Sequence, residues 1–208
     1  MISFGIVLGE PNSINSEILA KSNVIKTNAI IIGSYELLKS QLKILKIKRK
    51  LRKIKKPEDI RKNNKALNIL DIPLKFKKAF NVNSKESSNY VKKCLVVSHN
   101  LCLQKKIKGI INWSINKKNL FRNKNLGVTE FLAKKNRVLN SEVMVIYNKN
   151  LSVVPLTTHI KVKDISKFIK RDFLSKKLIT LNKYFISYFK KAPRIAVLGL
   201  NPHNLELK

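Results

Sequence analysis

Short apolar runs alternate with longer amphipathic stretches along this chain. Residues 2–8 (ISFGIVL) form an apolar run that Gly9, Glu10 and Pro11 end, which predicts a buried strand. Asn12 or Ser13 can cap a helix that carries Ile14, Ile18, Leu19 and Ile25. Residues 29–32 (AIII) predict a second strand, closed by Gly33. A strand, turn, helix and strand in this order is the unit from which parallel α/β sheets are built.

From Ser34 a helical pattern extends to Lys56, with Ile44, Ile47, Leu51 and Ile54 at 3-4-3 spacing. Pro57 ends it, and residues 57–83 are irregular apart from a weak strand at 67–72. Ser84 to Lys106 predicts a helix whose broad apolar face includes Tyr90, Val91, Cys94, Leu95 and Leu101. Gly109 leads a brief strand at Ile110 and Ile111, followed by the turn WSINK. Gly127 introduces a helix, VTEFLAKK, in which Thr129 can cap and Glu130 lies in the first turn. Residues 142–147 and 151–156 predict two strands joined as a hairpin. A helix is expected over Lys163–Lys191, broken near Asp172, and Arg194–Leu198 is the last strand. The fold class is therefore α/β, a mostly parallel mixed sheet flanked by helices. No internal boundary stands out within residues 1–208.

Composition adds one strong feature. The chain has 208 residues and is 44% apolar, enough for a globular core. Lys and Arg total 44 against 12 Asp and Glu, a net charge of +32. Such a charge fits a nucleic-acid or anionic-membrane binder. It also fits drift in base composition. Lys (37), Asn (23) and Ile (25) together make 85 of 208 residues and share AT-rich codons, whereas Arg numbers 7. Arg is the side chain that forks onto phosphate and guanine. The spread of positive residues along the chain favours drift, with weak nonspecific polyanion binding expected either way. Between Lys43 and Lys56, nine of 14 residues are basic. A basic amphipathic helix can lie on a membrane or on RNA, but its apolar stripe favours a helix packed on a core.

Cys94 and Cys102 form no metal-type pair and read as buried thiols rather than a disulfide. No apolar run reaches the ~18 residues that a membrane span needs, and the N-terminus lacks a signal-peptide pattern. The expected location is the cytoplasm, without a membrane partner.

Three apolar runs end in polar residues suited to ligands. They are Asn116-Lys117 after Ile110 and Ile111, Thr157-Thr158-His159 after 151–156, and Asn201-Pro202-His203 after 194–198. Ligands of open α/β sheets gather at the carboxyl ends of strands. Neutral imidazole suits zinc and similar ions, so His159 and His203 are candidate metal ligands. Catalytic zinc usually takes three protein ligands, and the remaining histidine, His99, falls inside a helix. Either histidine alone reads better as an ordinary loop residue; their paired placement at strand ends brings the metal reading level with it. Lys117 can meet a phosphate as a point charge. Thr129 can offer its hydroxyl to a substrate or cap its helix. The turn at Gly9-Glu10-Pro11 is neither a dinucleotide nor a Walker loop, and no nucleophilic triad stands out.

Taken in order, five segments resemble the 4-hydroxythreonine-4-phosphate dehydrogenase family of pyridoxal phosphate biosynthesis. They are GEPNSINSEI at 9–18, INWSINK at 111–117, GVTEFLA at 127–133, TTHI at 157–160 and GLNPHNLE at 199–206. The resemblance implies a two-domain fold like that of isocitrate and isopropylmalate dehydrogenases, incomplete here at the C-terminus. It implies a homodimer with its active site in a cleft between domains. It also implies oxidation of 4-phosphooxy-L-threonine, a small phosphorylated substrate, with NAD or NADP and a divalent metal (Zn, Mg or Co). By matching position, His159 and His203 correspond to two of three metal-binding histidines, the third being missing from this chain. Thr129 and Lys117 correspond to substrate-binding residues. Four departures stand against this pattern. Val128 replaces a His, and Trp113-Ser114 replaces Gly-Pro. Asn12, Ser13, Asn15 and Ser16 stand in the family's glycine-rich first turn, and Asn204 to Lys208 replaces Ala-Gly-Glu-Gly-Gly. The resulting expectation is an NAD(P)-dependent oxidoreductase with impaired activity. The alternatives are a degenerate, non-catalytic relative and a basic nucleic-acid-binding protein.

Overall fold

The computed structural model describes residues 4–22, 29–60, 66–121, 127–158, 160–201 and 203. The chain divides into two compact units, Met1–Leu126 and Gly127–Lys208.

The first unit is a parallel α/β sheet. Its strands are β1 (Phe4–Val7), β2 (Ala29–Gly33), β3 (Leu51–Ile54), β4 (Leu67–Asp71) and β5 (Gly109–Asn112), in spatial order β3-β4-β2-β1-β5. Every pairing is parallel, with Phe4 opposite Ala29 and Gly109, and Ile31 opposite Ile69. Strands covered on both faces read as continuous apolar runs, and β2 is buried along its whole length. Helix α1 (Asn15–Lys21) and helix α2 (Tyr35–Ile44) help close one core, in which Leu19, Ala20, Leu38 and Leu42 meet Ile6, Ile31 and Ile69. Helix α3 (Ser84–Leu103) packs against β1, β2 and β5 and buries Tyr90, Val91, Cys94 and Leu95. Asn83 caps it by accepting the Lys85 N–H at 2.9 Å. The short helix α4 (Lys117–Phe121) follows β5.

Two expectations change here. In α1 the buried apolar side chains are Leu19 and Ala20, whereas Ile14 and Ile18 are exposed and Ile25 lies outside the described residues. The long basic helix also stops early. Ser34 caps α2 by accepting the Leu37 N–H at 3.2 Å, the helix ends at Ile44, and Lys46 takes a left-handed φ of 54°. Leu51–Ile54 is then an edge strand on β4, with Leu51 opposite Leu67 and Ile54 opposite Leu70. The ladder and the burial of Ile54 override the helix-compatible spacing.

The second unit has helices α5 (Val128–Lys135), α6 (Ile165–Phe168) and α7 (Arg171–Phe189). The break before α7 falls at residues 169–170, close to the expected one. The predicted hairpin reduces to a single antiparallel bridge between Ile146 and Val153, the one departure from parallel pairing among the described residues. Arg194–Leu198 forms no strand and is exposed, with Leu198 88% accessible. A strand needs a neighbour to take its backbone hydrogen bonds, and the described residues supply none there. Ala133 is the only buried apolar side chain among this unit's described residues, while Tyr147 and Phe185 pack on Phe189.

Candidate functional site

In a parallel sheet the strands end together at one edge, and there the first unit gathers its polar groups. Gly9 follows β1 with a φ of 74°, a turn that suits glycine. The next N–H, on Glu10, donates to the Ser114 carbonyl at 2.9 Å. Asn15, 3% exposed, donates its amide to the Leu8 carbonyl (2.8 Å) and the Ser114 carbonyl (3.0 Å), and accepts from the Ser114 hydroxyl (2.7 Å). The turn after β1 and the end of β5 are thereby closed on each other. Ser87 donates its hydroxyl to the Glu10 carboxylate at 2.7 Å. Asn12 exchanges two hydrogen bonds with the Val82 backbone, each of 2.8 Å. Asn12 is therefore a tie between segments rather than a helix cap, and α1 begins without a side-chain cap.

At the neighbouring strand ends, Asp71 closes β4. Its carboxylate accepts the Tyr35 N–H at 2.8 Å and pairs with Lys53 at 2.5 Å. The hydrogen bond to Asp71, followed by its charge, holds the Lys53 ammonium above its usual range. The Tyr90 hydroxyl accepts the Ser34 N–H at 2.8 Å. Sequence reasoning missed Asp71; its signal is an acid at a strand end in a chain with only 12 acids. Asp71→Ala leaves the Tyr35 N–H without that acceptor and is expected to lower stability by about 1–3 kcal/mol in chemical denaturation. Asp71→Asn keeps an oxygen acceptor and is expected to cost less than Asp71→Ala.

The candidate site residues are distributed as follows. Lys117 is the first residue of α4, exposed, five residues beyond the end of β5. The preceding Asn116 accepts the Asn119 N–H at 3.1 Å and so holds the turn. Thr129 lies in the second unit, exposed in the first turn of α5. It does not cap the helix. Gly127 occupies the cap, and its N–H donates to the Glu130 carboxylate at 2.7 Å. His159 lies outside the described residues, and its neighbours Thr157 and Thr158 are half-buried. His203 sits on an exposed turn, its backbone N–H donating to Asn201 Oδ1 at 3.0 Å. Lys117 thus belongs to the first unit, and Thr129 and His203 to the second.

These donors do not by themselves make a metal centre. Two imidazoles are right in kind for a divalent ion but short of the three protein ligands usual in a catalytic site. Among the described residues no three His, Cys, Asp or Glu side chains cluster as a metal would require. His99 is buried within α3. Neither cysteine is poised as a nucleophile: both are free thiols, and burial pushes Cys94 up to about 12 and raises Cys102.

Comparison with known proteins places this framework. Residues 25–207 match the family model described as pyridoxal phosphate biosynthetic protein PdxA. A 4-hydroxythreonine-4-phosphate dehydrogenase of Aquifex aeolicus is 32% identical over 98% of this chain and 64% of its own length. One from a Sulfurihydrogenibium species is 31% identical over the same shares. The chain thus spans less than two thirds of these relatives. A crystal structure of 4-hydroxythreonine-4-phosphate dehydrogenase from Klebsiella pneumoniae has the same fold. It superimposes with a TM-score of 0.84 at 21% identity, covering 99% of this chain and 66% of that one.

Proposed function

The chain belongs to the PdxA family of pyridoxal phosphate biosynthetic proteins, and we propose that it carries an impaired form of the NAD(P)-dependent oxidation of 4-phosphooxy-L-threonine. The observation that carries this reading is the match over nearly the whole chain to relatives named for that reaction. A more distant relative, 26% identical, is named D-threonate 4-phosphate dehydrogenase. Both names describe a hydroxylated four-carbon acid bearing a 4-phosphate, and that is the substrate class proposed here.

A bound nicotinamide would supply the hydride acceptor for the substrate carbinol, whose hydroxyl would give up a proton. Lys117 places its exposed ammonium to meet the phosphate, and Thr129 offers a hydroxyl to the substrate. His159 and His203 are the proposed imidazole contributors to a divalent-metal site that requires further ligands. Assembly as a homodimer and a cytoplasmic location belong to the same proposal. Among the described residues no helix is long and apolar enough to cross a membrane.

The impairment rests on particular positions. Val128, at the start of α5, puts an alkyl side chain where the resembling motif has an imidazole. Trp113, packed against the main core, and Ser114, locked to Asn15, occupy the Gly-Pro positions. Losing one preorganised polar group commonly lowers turnover by about 10²–10³-fold. The purified chain, given 4-phosphooxy-L-threonine, NAD or NADP and a divalent metal, is expected to turn over at least ~100-fold more slowly than the Aquifex relative. Turnover comparable to that relative's would refute the impairment and leave the family reading intact.

A further inference from the structure

The positive charge is not laid evenly on the first unit. Across residues 43–56, nine of 14 are basic and none is acidic, against 44 basic residues among 208 in the whole chain. Drift in base composition raises Lys everywhere, but it does not account for a run about three times denser than the average. The run also holds two of the seven arginines, Arg49 and Arg52.

The fold turns this run into one surface. α2 ends, the chain reverses at Lys46, and β3 lies at the end of the strand order, paired among the described residues with β4 alone. Lys46, Lys48, Lys50, Lys53, Lys55 and Lys56 are all exposed. Asp71 pairs with Lys53, whereas Lys48, Lys50, Lys55 and Lys56 have no ion-pair partner among the described residues. A 3.6 Å ion pair between Glu58 and Lys106 brings a further basic turn, Lys105-Lys106, beside the end of the run. An open sheet edge invites another strand, but a row of lysines repels a second copy of itself.

We propose that residues 43–56 form a docking surface for the phosphate backbone of duplex nucleic acid, gripped without regard to sequence. Successive ammonium groups neutralise phosphates and release counterions. The run contains no aromatic residue, so it offers no platform for stacking unpaired bases. It also lacks membrane anchors, Ile44 being its only strongly exposed large apolar side chain. Lys117, Thr129 and the two histidines lie outside this run.

The test uses the full chain and a short labelled DNA duplex of random sequence, with fluorescence anisotropy read from 50 to 200 mM salt. One variant replaces Lys48, Lys50, Lys55 and Lys56 with Gln. A matched variant replaces Lys85, Lys93, Lys176 and Lys183, all exposed elsewhere. Circular dichroism checks that both fold. The first variant is expected to lose more than about tenfold in affinity and about 3 units of the log-affinity against log-salt slope. The matched variant is expected to change affinity less than about threefold. Equal losses in both variants would show that net charge alone binds. Absence of duplex binding would overturn the proposal, as would tighter, run-dependent binding to anionic phosphatidylserine vesicles.

Discussion

Gly9→Ala is expected to destabilise the first unit by about 3–5 kcal/mol, a large part of the 5–15 kcal/mol that holds an ordinary domain together. Two costs add. The φ of 74° is a conformation in which a Cβ crowds the backbone, worth roughly 1–2 kcal/mol. The added Cβ would also stand 2.3 Å from the Ser114 carbonyl oxygen and 2.9 Å from the Asn15 amide nitrogen. The first of these is backbone, already bonded to Glu10 and Asn15, so it cannot swing aside as a long side chain would. Denaturant unfolding followed by circular dichroism measures the loss. Gly9→Asn separates the two costs, because Asn tolerates the left-handed φ yet still carries the Cβ; it is expected to remain strongly destabilising. Gly109→Ala is the control. Its added Cβ would meet nothing closer than Phe4 at 3.6 Å, and it is expected to change stability by less than about 1 kcal/mol. Equal tolerance of Ala at both positions would remove Gly9 as the pivot of this strand edge.

The contrast between those glycines shows what the sequence could and could not disclose. β2 was legible because AIII followed by Gly is a buried parallel strand in miniature, and α3 because its apolar positions recur with helical period over 20 residues. β3 was not. Ile47, Leu51 and Ile54 fit one helical stripe, and lysine is a good helix former. What makes Leu51–Ile54 a strand is β4, which lies beyond the next turn and is invisible to local periodicity. The segment 194–198 shows the reverse, since its apolar run has strand character but no strand beside it among the described residues.

The site divides in the same way. Lys117, Thr129, His159 and His203 were named from local motifs, and the motifs carry the family. The tie that shapes the β1 and β5 ends joins Asn15 to Ser114 across 99 residues. Two small polar residues so far apart leave no periodic signal. Both stand at positions where the motif departs from its family, so the departures are not independent. Asn15 supplies the amide that the Ser114 carbonyl accepts, and Ser114 supplies the hydroxyl that Asn15 accepts. Reverting one alone is therefore a poor test of lost activity, because it breaks the lock before it restores the turn.

Alkaline pH is expected to unfold the first unit through α3. Cys94 is fully buried, with its thiol pushed up to about 12 by burial, and burial also raises the Tyr90 phenol well above its usual range. In the unfolded chain a thiol ionises near pH 8.5. Between that pH and about 12 the folded chain keeps the Cys94 proton that the unfolded chain has lost. Stability therefore falls as pH rises through this window, by about 1.4 kcal/mol per unit for one proton. Over the whole window the thiol alone contributes an upper limit of about 4–5 kcal/mol, and Tyr90 adds to it at higher pH. Below pH 8 neither group contributes a pH dependence. Cys94→Ala removes the thiol and leaves a small cavity, so its stability at pH 7 is expected to fall by only about 1 kcal/mol. Its stability between pH 9 and 11 is expected to fall less steeply than that of the natural chain, by close to one proton in the slope. The lysines titrate in both chains, so the comparison cancels them. Denaturant unfolding at each pH gives the slopes. Parallel slopes for the two chains would mean that the Cys94 thiol is not the group through which alkali enters the core.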